Sequence, residues 1–421
     1  MGLMRNVKHL KCINCGKSYE PVPGRYTCDV CGSAEGILDV IYDYDYIGGN
    51  YNRDYFDSNR DYSMWRYEPF LPVLPKGPRP SLRVGWSPFY KPEALAREIG
   101  LKTLYIKDDG INPTGSLKDR ASAVAVAKAL EEKVGIICCS STGNAASSLA
   151  GNAASAGLKT VIFVPERAPL GKVAQLKIFG SNVICVQGSY GDTFRLSDMA
   201  IKKYGWYNRN AAINPYMLEG KKTVTLEVCE QLNWQVPDWV VVSVGDGCTI
   251  AGAWKGFADL YRAGLIDKLP KMAGVQALGC EPLTKAFHAG RKFEPCDENT
   301  VADSIAVGIP RNAEKALSAV RESKGTYVSV SDEEIYDAMR LLGRTAGVFG
   351  EPAGVAGLAG LRKLVSEGII DKNESVVCVV TGNGLKDVSN AIKASGEAVK
   401  VSAGGGELFD ILEGLPGLAR E

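Results

Sequence analysis

One lysine, placed just inside a helix, is the first residue that could do chemistry here. Lys118 lies in Asn112-Pro-Thr-Gly-Ser-Leu-Lys-Asp-Arg120, directly after a Gly-Ser turn. At a helix start the amine meets the positive end of the peptide dipoles, and partial burial adds a desolvation cost; both lower its pKa. A less protonated amine is the form that adds to a carbonyl carbon to give a Schiff base. Taken alone, the same residue also reads as an ordinary surface lysine.

Three more loops have the composition of small-anion sites. Ser140-Ser141-Thr142-Gly143-Asn144 follows an apolar run and opens a helix, so its backbone N–H groups and hydroxyls can grip a carboxylate. Val244-Gly245-Asp246-Gly247-Cys248-Thr249 does the same after Trp239–Val244, where glycines let the backbone approach a phosphate. It is no Walker loop, since no Gly-Lys-Ser/Thr follows, and it lacks dinucleotide-binding spacing. Thr381, in Val380-Thr381-Gly-Asn-Gly-Leu-Lys-Asp387, could offer a hydroxyl to a heterocycle nitrogen. Each loop alone is also an ordinary helix cap or turn.

Cys12-Ile-Asn-Cys15 and Cys28-Asp-Val-Cys31 form two C-x₂-C pairs, each followed by glycine (Gly16, Gly32). Two such knuckles can supply four thiolates to one tetrahedral Zn²⁺, a closed structural site with no open position for catalysis. Without metal the ribbon should unfold while the rest of the chain survives. Redox-active thiols are the alternative. The other eight cysteines are scattered in apolar contexts and read as small buried hydrophobes.

These loops need elements to carry them. From Leu104 onward, short runs rich in β-branched residues (104–107, 135–138, 160–164, 183–186, 239–244, 272–277, 326–330, 376–380) alternate with helical stretches (119–131, 145–156, 171–178, 192–203, 223–232, 250–262, 332–342, 353–367). That alternation predicts α/β architecture with parallel sheets covered on both faces, and ligands at the carboxyl ends of the strands. The Tyr-rich stretch 42–67 reads as a connector whose tyrosines anchor it to a larger domain.

Together, in this order, the four loops resemble the pyridoxal-phosphate enzymes of fold type II, most closely the threonine synthase family. Asn-Pro-Thr-Gly-Ser-Leu-Lys-Asp-Arg resembles the Schiff-base motif, with Leu117 where Phe is usual; Trp254-Lys-Gly-Phe257 and Glu351-Pro-Ala353 add to the likeness. The resemblance implies a two-domain, tryptophan synthase β-like architecture carrying an N-terminal zinc ribbon. It implies a ribbon over 1–36, a connector and the start of the large domain over 37–115, a small mobile domain over 116–229, and the rest of the large domain over 230–421. Lys118 would hold pyridoxal 5'-phosphate, Asn144 would bond its 3′-oxygen, and Gly245, Asp246, Gly247, Cys248 and Thr249 would surround its phosphate. Thr381 would face its ring nitrogen, and Ser141, Thr142, Gly143 and Asn144 would take the substrate carboxylate.

Two stretches depart from the family's wording. The phosphate loop carries Asp246 where Asn is usual, so that carboxylate must turn away from a bound phosphate. The Ser and Arg that grip the phosphate of O-phosphohomoserine are here Ala212 and Met217, in Ala211-Ala-Ile-Asn-Pro-Tyr-Met-Leu-Glu-Gly-Lys-Lys-Thr223. Losing a bidentate Arg removes a phosphate clamp, unless Lys221 or Lys222 replaces it. The expected activity is conversion of O-phosphohomoserine and water to threonine and phosphate. One alternative is β-elimination or β-replacement on a non-phosphorylated amino acid; another is a non-catalytic binding protein on the same fold.

Composition narrows the classes. Across 421 residues, 49 Lys and Arg face 48 Asp and Glu, giving +1, with no basic run; nucleic acid is not an expected partner. Apolar residues make up 45% and support sizeable cores. No apolar run approaches about 18 residues, and Arg5, Lys8 and His9 stand where a signal peptide needs an apolar core. The expectation is a cytoplasmic enzyme with a small amino-acid substrate, no membrane partner, and homodimerisation left open.

Overall fold

The structure is a computed structural model that describes residues 4–141, 143–166, 168, 170–210 and 213–414. Thirteen strands form three sheets among them. The first is antiparallel, β2-β1-β3, from β1 (Val7–Cys12), β2 (Ser18–Tyr19) and β3 (Leu38–Tyr42). The chain then contributes β4 (Phe89–Tyr90) and β5 (Thr103–Asp108) to a second sheet. A third sheet, β8-β7-β6-β9, is wholly parallel and is built from β6 (Ile136–Ser140), β7 (Lys159–Pro165), β8 (Asn182–Val186) and β9 (Tyr207–Asn208).

The chain returns to the second sheet with β10 (Trp239–Ser243), β11 (Lys271–Ala277), β12 (Thr326–Val330) and β13 (Ser375–Val380). Its order is β12-β11-β10-β13-β5-β4, parallel except for the edge strand β4. Strands β10 and β13 are Trp-Val-Val-Val-Ser and Ser-Val-Val-Cys-Val-Val, buried nearly throughout. Such unbroken β-branched runs suit a sheet covered on both faces. From β10 the chain moves outward through β11 and β12, then comes back to the other side of β10 as β13. The order therefore reverses between β10 and β13, and a crevice at the carboxyl end of such a switch point is where open α/β sheets bind ligands.

The helix Lys118–Glu131 is fixed to this sheet by a fully buried charge network. Arg120 donates to Asp109 from Nε (2.6 Å) and Nη2 (2.8 Å), and to Glu227 from Nη1 (2.5 Å) and Nη2 (2.8 Å). Lys107 on β5 lies 2.7 Å from the same Glu227. Two cations meet two carboxylates, so no charge is left over. We expect Arg120→Met to strand two buried carboxylates on one lysine, a change that costs about 3–5 kcal/mol. The corresponding fall in Tm is on the order of 10 °C, read by thermal denaturation, and Arg120→Lys should not restore it because a point charge cannot reproduce the fork.

Candidate active site

All four loops leave carboxyl ends of strands: the Lys118 turn follows β5, the Asn144 loop follows β6, the glycine loop follows β10, and Thr381 follows β13. Backbone bonds join two of them directly. The Leu117 N–H donates to the Thr381 carbonyl at 2.9 Å, and the Asn383 N–H donates to the Gly115 carbonyl at 2.9 Å. Gly115 has φ +85°, which the turn ahead of Lys118 requires.

Lys118 is the first residue of its helix and is half-buried. Its amine has no hydrogen bond or ion pair among the described residues. Burial, then the positive charges of Lys221 and Arg209, bring its pKa down to about 7. Near neutral pH the amine is thus poised between its charged and nucleophilic forms. We expect the rate at which the apoprotein captures an aldehyde cofactor to rise with pH up to about 7 and level off above it. A lysine with the ordinary value would keep climbing towards roughly 10; stopped-flow absorbance against pH separates the two.

Asn144 opens the helix Asn144–Ser155, and its Nδ2 donates to Glu351 Oε1 at 2.5 Å. Glu351 is 2% exposed, and burial, with Asp303 adding to it, raises its pKa to about 7. A Cβ at Gly382 would stand 2.0 Å from Glu351 Oε1, so a side chain there would push this carboxyl from its place. Asn144 joins the Lys118–Thr381 pair through Glu351, a residue marked in the sequence only as part of a motif and given no role there. Gly143 caps the Asn144 helix, and its N–H donates to Ser141 Oγ at 3.2 Å. Thr142 lies outside the described residues.

The glycine loop opens the helix Cys248–Arg262. Gly247 has φ +86°, and a Cβ there would fall 2.7 Å from Ala316 Cβ; one at Gly245 would fall 2.8 Å from Ile305 Cα. The Asp246 carboxylate accepts the Arg311 N–H at 2.8 Å and the Cys248 thiol at 3.4 Å. It is occupied with the 311–312 segment, which leaves the loop's own N–H groups for an anion. Thr249 sits buried in the first helical turn. Helix dipole, loop N–H groups unpaired among the described residues and close backbone approach give this corner the donor set a phosphate ester needs. The residues present therefore fit pyridoxal 5'-phosphate: amine, phosphate corner and hydroxyl at Thr381.

Of the residues in the substrate-phosphate stretch, Met217 is fully buried in the core and Ala212 lies outside the described residues. Lys222 is committed elsewhere, donating to Glu219 Oε2 (2.5 Å) and Asp259 Oδ2 (2.6 Å).

At the other end of the chain, the Sγ atoms of Cys12, Cys15, Cys28 and Cys31 all lie within 4.8 Å of one another. Cys15–Cys28 measures 3.6 Å and Cys12–Cys31 3.9 Å. Tetrahedral Zn–S bonds of about 2.3 Å put sulfurs about 3.8 Å apart, so the cluster has the dimensions of a four-thiolate site. Gly16 and Gly32, with φ +75° and +74°, make the two knuckles.

The sequence profile of the pyridoxal-phosphate dependent enzymes matches residues 80–382, so fold and site together define a PLP-dependent enzyme. Threonine synthase of Methanocaldococcus jannaschii is 43% identical over 408 residues, covering 96% of this chain and 99% of that relative. That of Methanosarcina acetivorans is 43% identical, covering 94% of this chain and 96% of the relative. The chain belongs to the threonine synthase family. Among solved structures, threonine deaminase isoform 2 of Solanum lycopersicum has a TM-score of 0.63 at 22% identity, covering 73% of this chain and 87% of that one. Diaminopropionate ammonia lyase of Escherichia coli has 0.65 at 19%, covering 80% and 93%. At such identities these matches speak for the fold alone.

Proposed function

We propose that this PLP-dependent lyase converts O-phosphohomoserine and water to threonine and phosphate. The observation that carries the reading is the Lys118 amine, without a partner among the described residues and held among the Thr381 turn, the Asn144–Glu351 pair and the phosphate corner. When bound, the cofactor supplies an electron sink for negative charge at the substrate Cα. Lys118 holds the cofactor and moves the proton at Cα. Asn144 would bond the cofactor's 3′-oxygen, Gly245, Asp246, Gly247, Cys248 and Thr249 would surround its phosphate, and Thr381 would face its ring nitrogen. Ser141 to Asn144 take the substrate carboxylate at the helix start. The Cγ–O bond breaks to release phosphate, Cβ gives up one proton and takes the hydroxyl of water, and Cγ gains a proton to become the methyl group.

Of the expected units 1–36, 37–115, 116–229 and 230–421, we assign the sheet β8-β7-β6-β9 within 116–229 as the part that moves. The ribbon unit extends past 36 to include Leu38–Tyr42, and the helix Lys118–Glu131, tied to Asp109 and Glu227, stays with the larger sheet. Two contacts suit the moving part to closing on the cleft: Lys172 pairs with Asp303, and Lys386 Nζ donates to Ser147 Oγ (2.8 Å) and Gln175 Oε1 (2.8 Å). Closure would keep bulk water from a reactive carbanion. Zn²⁺ in the four-cysteine cluster is part of the same reading, and a cytoplasmic setting would keep those thiolates reduced. A substrate screen reading phosphate, ammonia and threonine tests it: threonine and phosphate released in equal amounts from O-phosphohomoserine support the reading. Ammonia or replacement products from a non-phosphorylated amino acid, with none from O-phosphohomoserine, would move the substrate elsewhere.

A further inference from the structure

Lys221 is a buried cation that forms no ion pair with any described carboxylate. It is 2% exposed, yet its ammonium makes no hydrogen bond and no ion pair with any described group. Isolating a charge this way is costly unless something pairs with it. Its root is well placed to meet an anion. A Cβ on Gly252 would lie 3.2 Å from Lys221 Cβ, so the lysine stem starts about one turn inside the helix that begins at Cys248. The Asp246 carboxylate and the Arg209 guanidinium act on the amine through space, and Lys118 in turn feels Lys221 first among its charged neighbours. Asp246 is close enough to feel but is bonded to Arg311 N–H and the Cys248 thiol. Lys222, the neighbouring candidate, is held by two carboxylates.

Resting on the proposed threonine synthase reading, we infer that Lys221 is the phosphate-gripping side chain of this cleft, pairing with a phosphate dianion at the amino end of the Cys248–Arg262 helix. Lys221 lies one turn from Met217 on the same helix face, so it can serve where position 217 offers only an apolar side chain. A phosphate could come from the cofactor or from the substrate, and the two sources separate experimentally.

The test compares wild type, Lys221→Gln and Lys221→Arg. Removing a buried unpaired charge should leave the apoprotein at least as heat-stable as wild type, whereas a structural lysine would lower its Tm. If the cofactor's phosphate is the partner, the glutamine variant should bind pyridoxal 5'-phosphate roughly ten- to a hundredfold more weakly. Binding of pyridoxal, which lacks the phosphate, should not change, and arginine should recover most of the loss. If the substrate's phosphate is the partner, cofactor affinity should hold while KM for O-phosphohomoserine rises by a similar factor in the cofactor-saturated enzyme. The inference is overturned if neither quantity moves, if pyridoxal weakens equally, or if the apoprotein Tm drops. Wild-type failure to turn over O-phosphohomoserine would instead fault the proposed reaction and leave the cofactor comparison readable.

Discussion

Lys118→Ala is expected to lose its cofactor absorbance near the Schiff-base band and to cut turnover by about 10⁴-fold, the upper range for a positioned proton-transfer group. The residue is asked to do two things, hold the cofactor and move the Cα proton, so both fail together. The fold should survive. Lys118 contributes no hydrogen bond or ion pair to the described structure, and removing a buried amine whose charge is unwelcome costs little. Unchanged far-UV circular dichroism and thermal unfolding, alongside lost absorbance at visible wavelengths, would establish that separation. Retained absorbance and activity would move the catalytic amine to another residue.

The parallel strands could be read from sequence because they are buried on both faces and so spell unbroken runs such as Trp239–Ser243 and Ser375–Val380. The short strands Ser18–Tyr19, Phe89–Tyr90 and Tyr207–Asn208 gave no such signal, since two residues cannot show a period. The helix Tyr216–Gln231 begins seven residues before the stretch that looked helical, because Gly220 and two lysines obscure its apolar face. In the fold those lysines are buried. Burial against a neighbouring helix is a tertiary fact, and so is the difference between Lys221 and Lys222: adjacent in sequence, they point to different surroundings, one paired with two carboxylates and one with no ion pair among the described residues. Glu351 is a similar case. A Glu-Pro-Ala triplet says nothing about an acid held beside Asn144 until the loops after β6 and β13 meet.

The N-terminal ribbon leads to the second large effect, because it is not the detachable module its sequence suggests. Its third strand, Leu38–Tyr42, reaches past residue 36, and Leu10, Leu38, Val40 and Tyr42 share one buried cluster with Val224, Phe257 and Leu260 of the helices behind the phosphate corner. Polar bonds follow the same route. Tyr42 donates to Glu219 at 2.7 Å, Tyr44 to Asp259 at 2.7 Å, Lys255 to the Val40 carbonyl at 2.9 Å and Lys315 to Asp39 at 2.8 Å.

Structural zinc supplies about 10–16 kcal/mol of apparent binding energy in small peptides, far more than three short strands can replace. Chelating the metal, or changing Cys28→Ser, is therefore expected to unfold the ribbon and, by withdrawing Tyr42 and its neighbours, to loosen the Tyr216–Gln231 and Cys248–Arg262 helices. Metal analysis should find one zinc per chain. Its loss should open the first 42 residues to proteolysis and speed cofactor release by at least tenfold. Chelated protein that keeps its cofactor at the native rate would show that the helix pair stands without the ribbon, and that the shared hydrophobic cluster only docks what the metal has already folded.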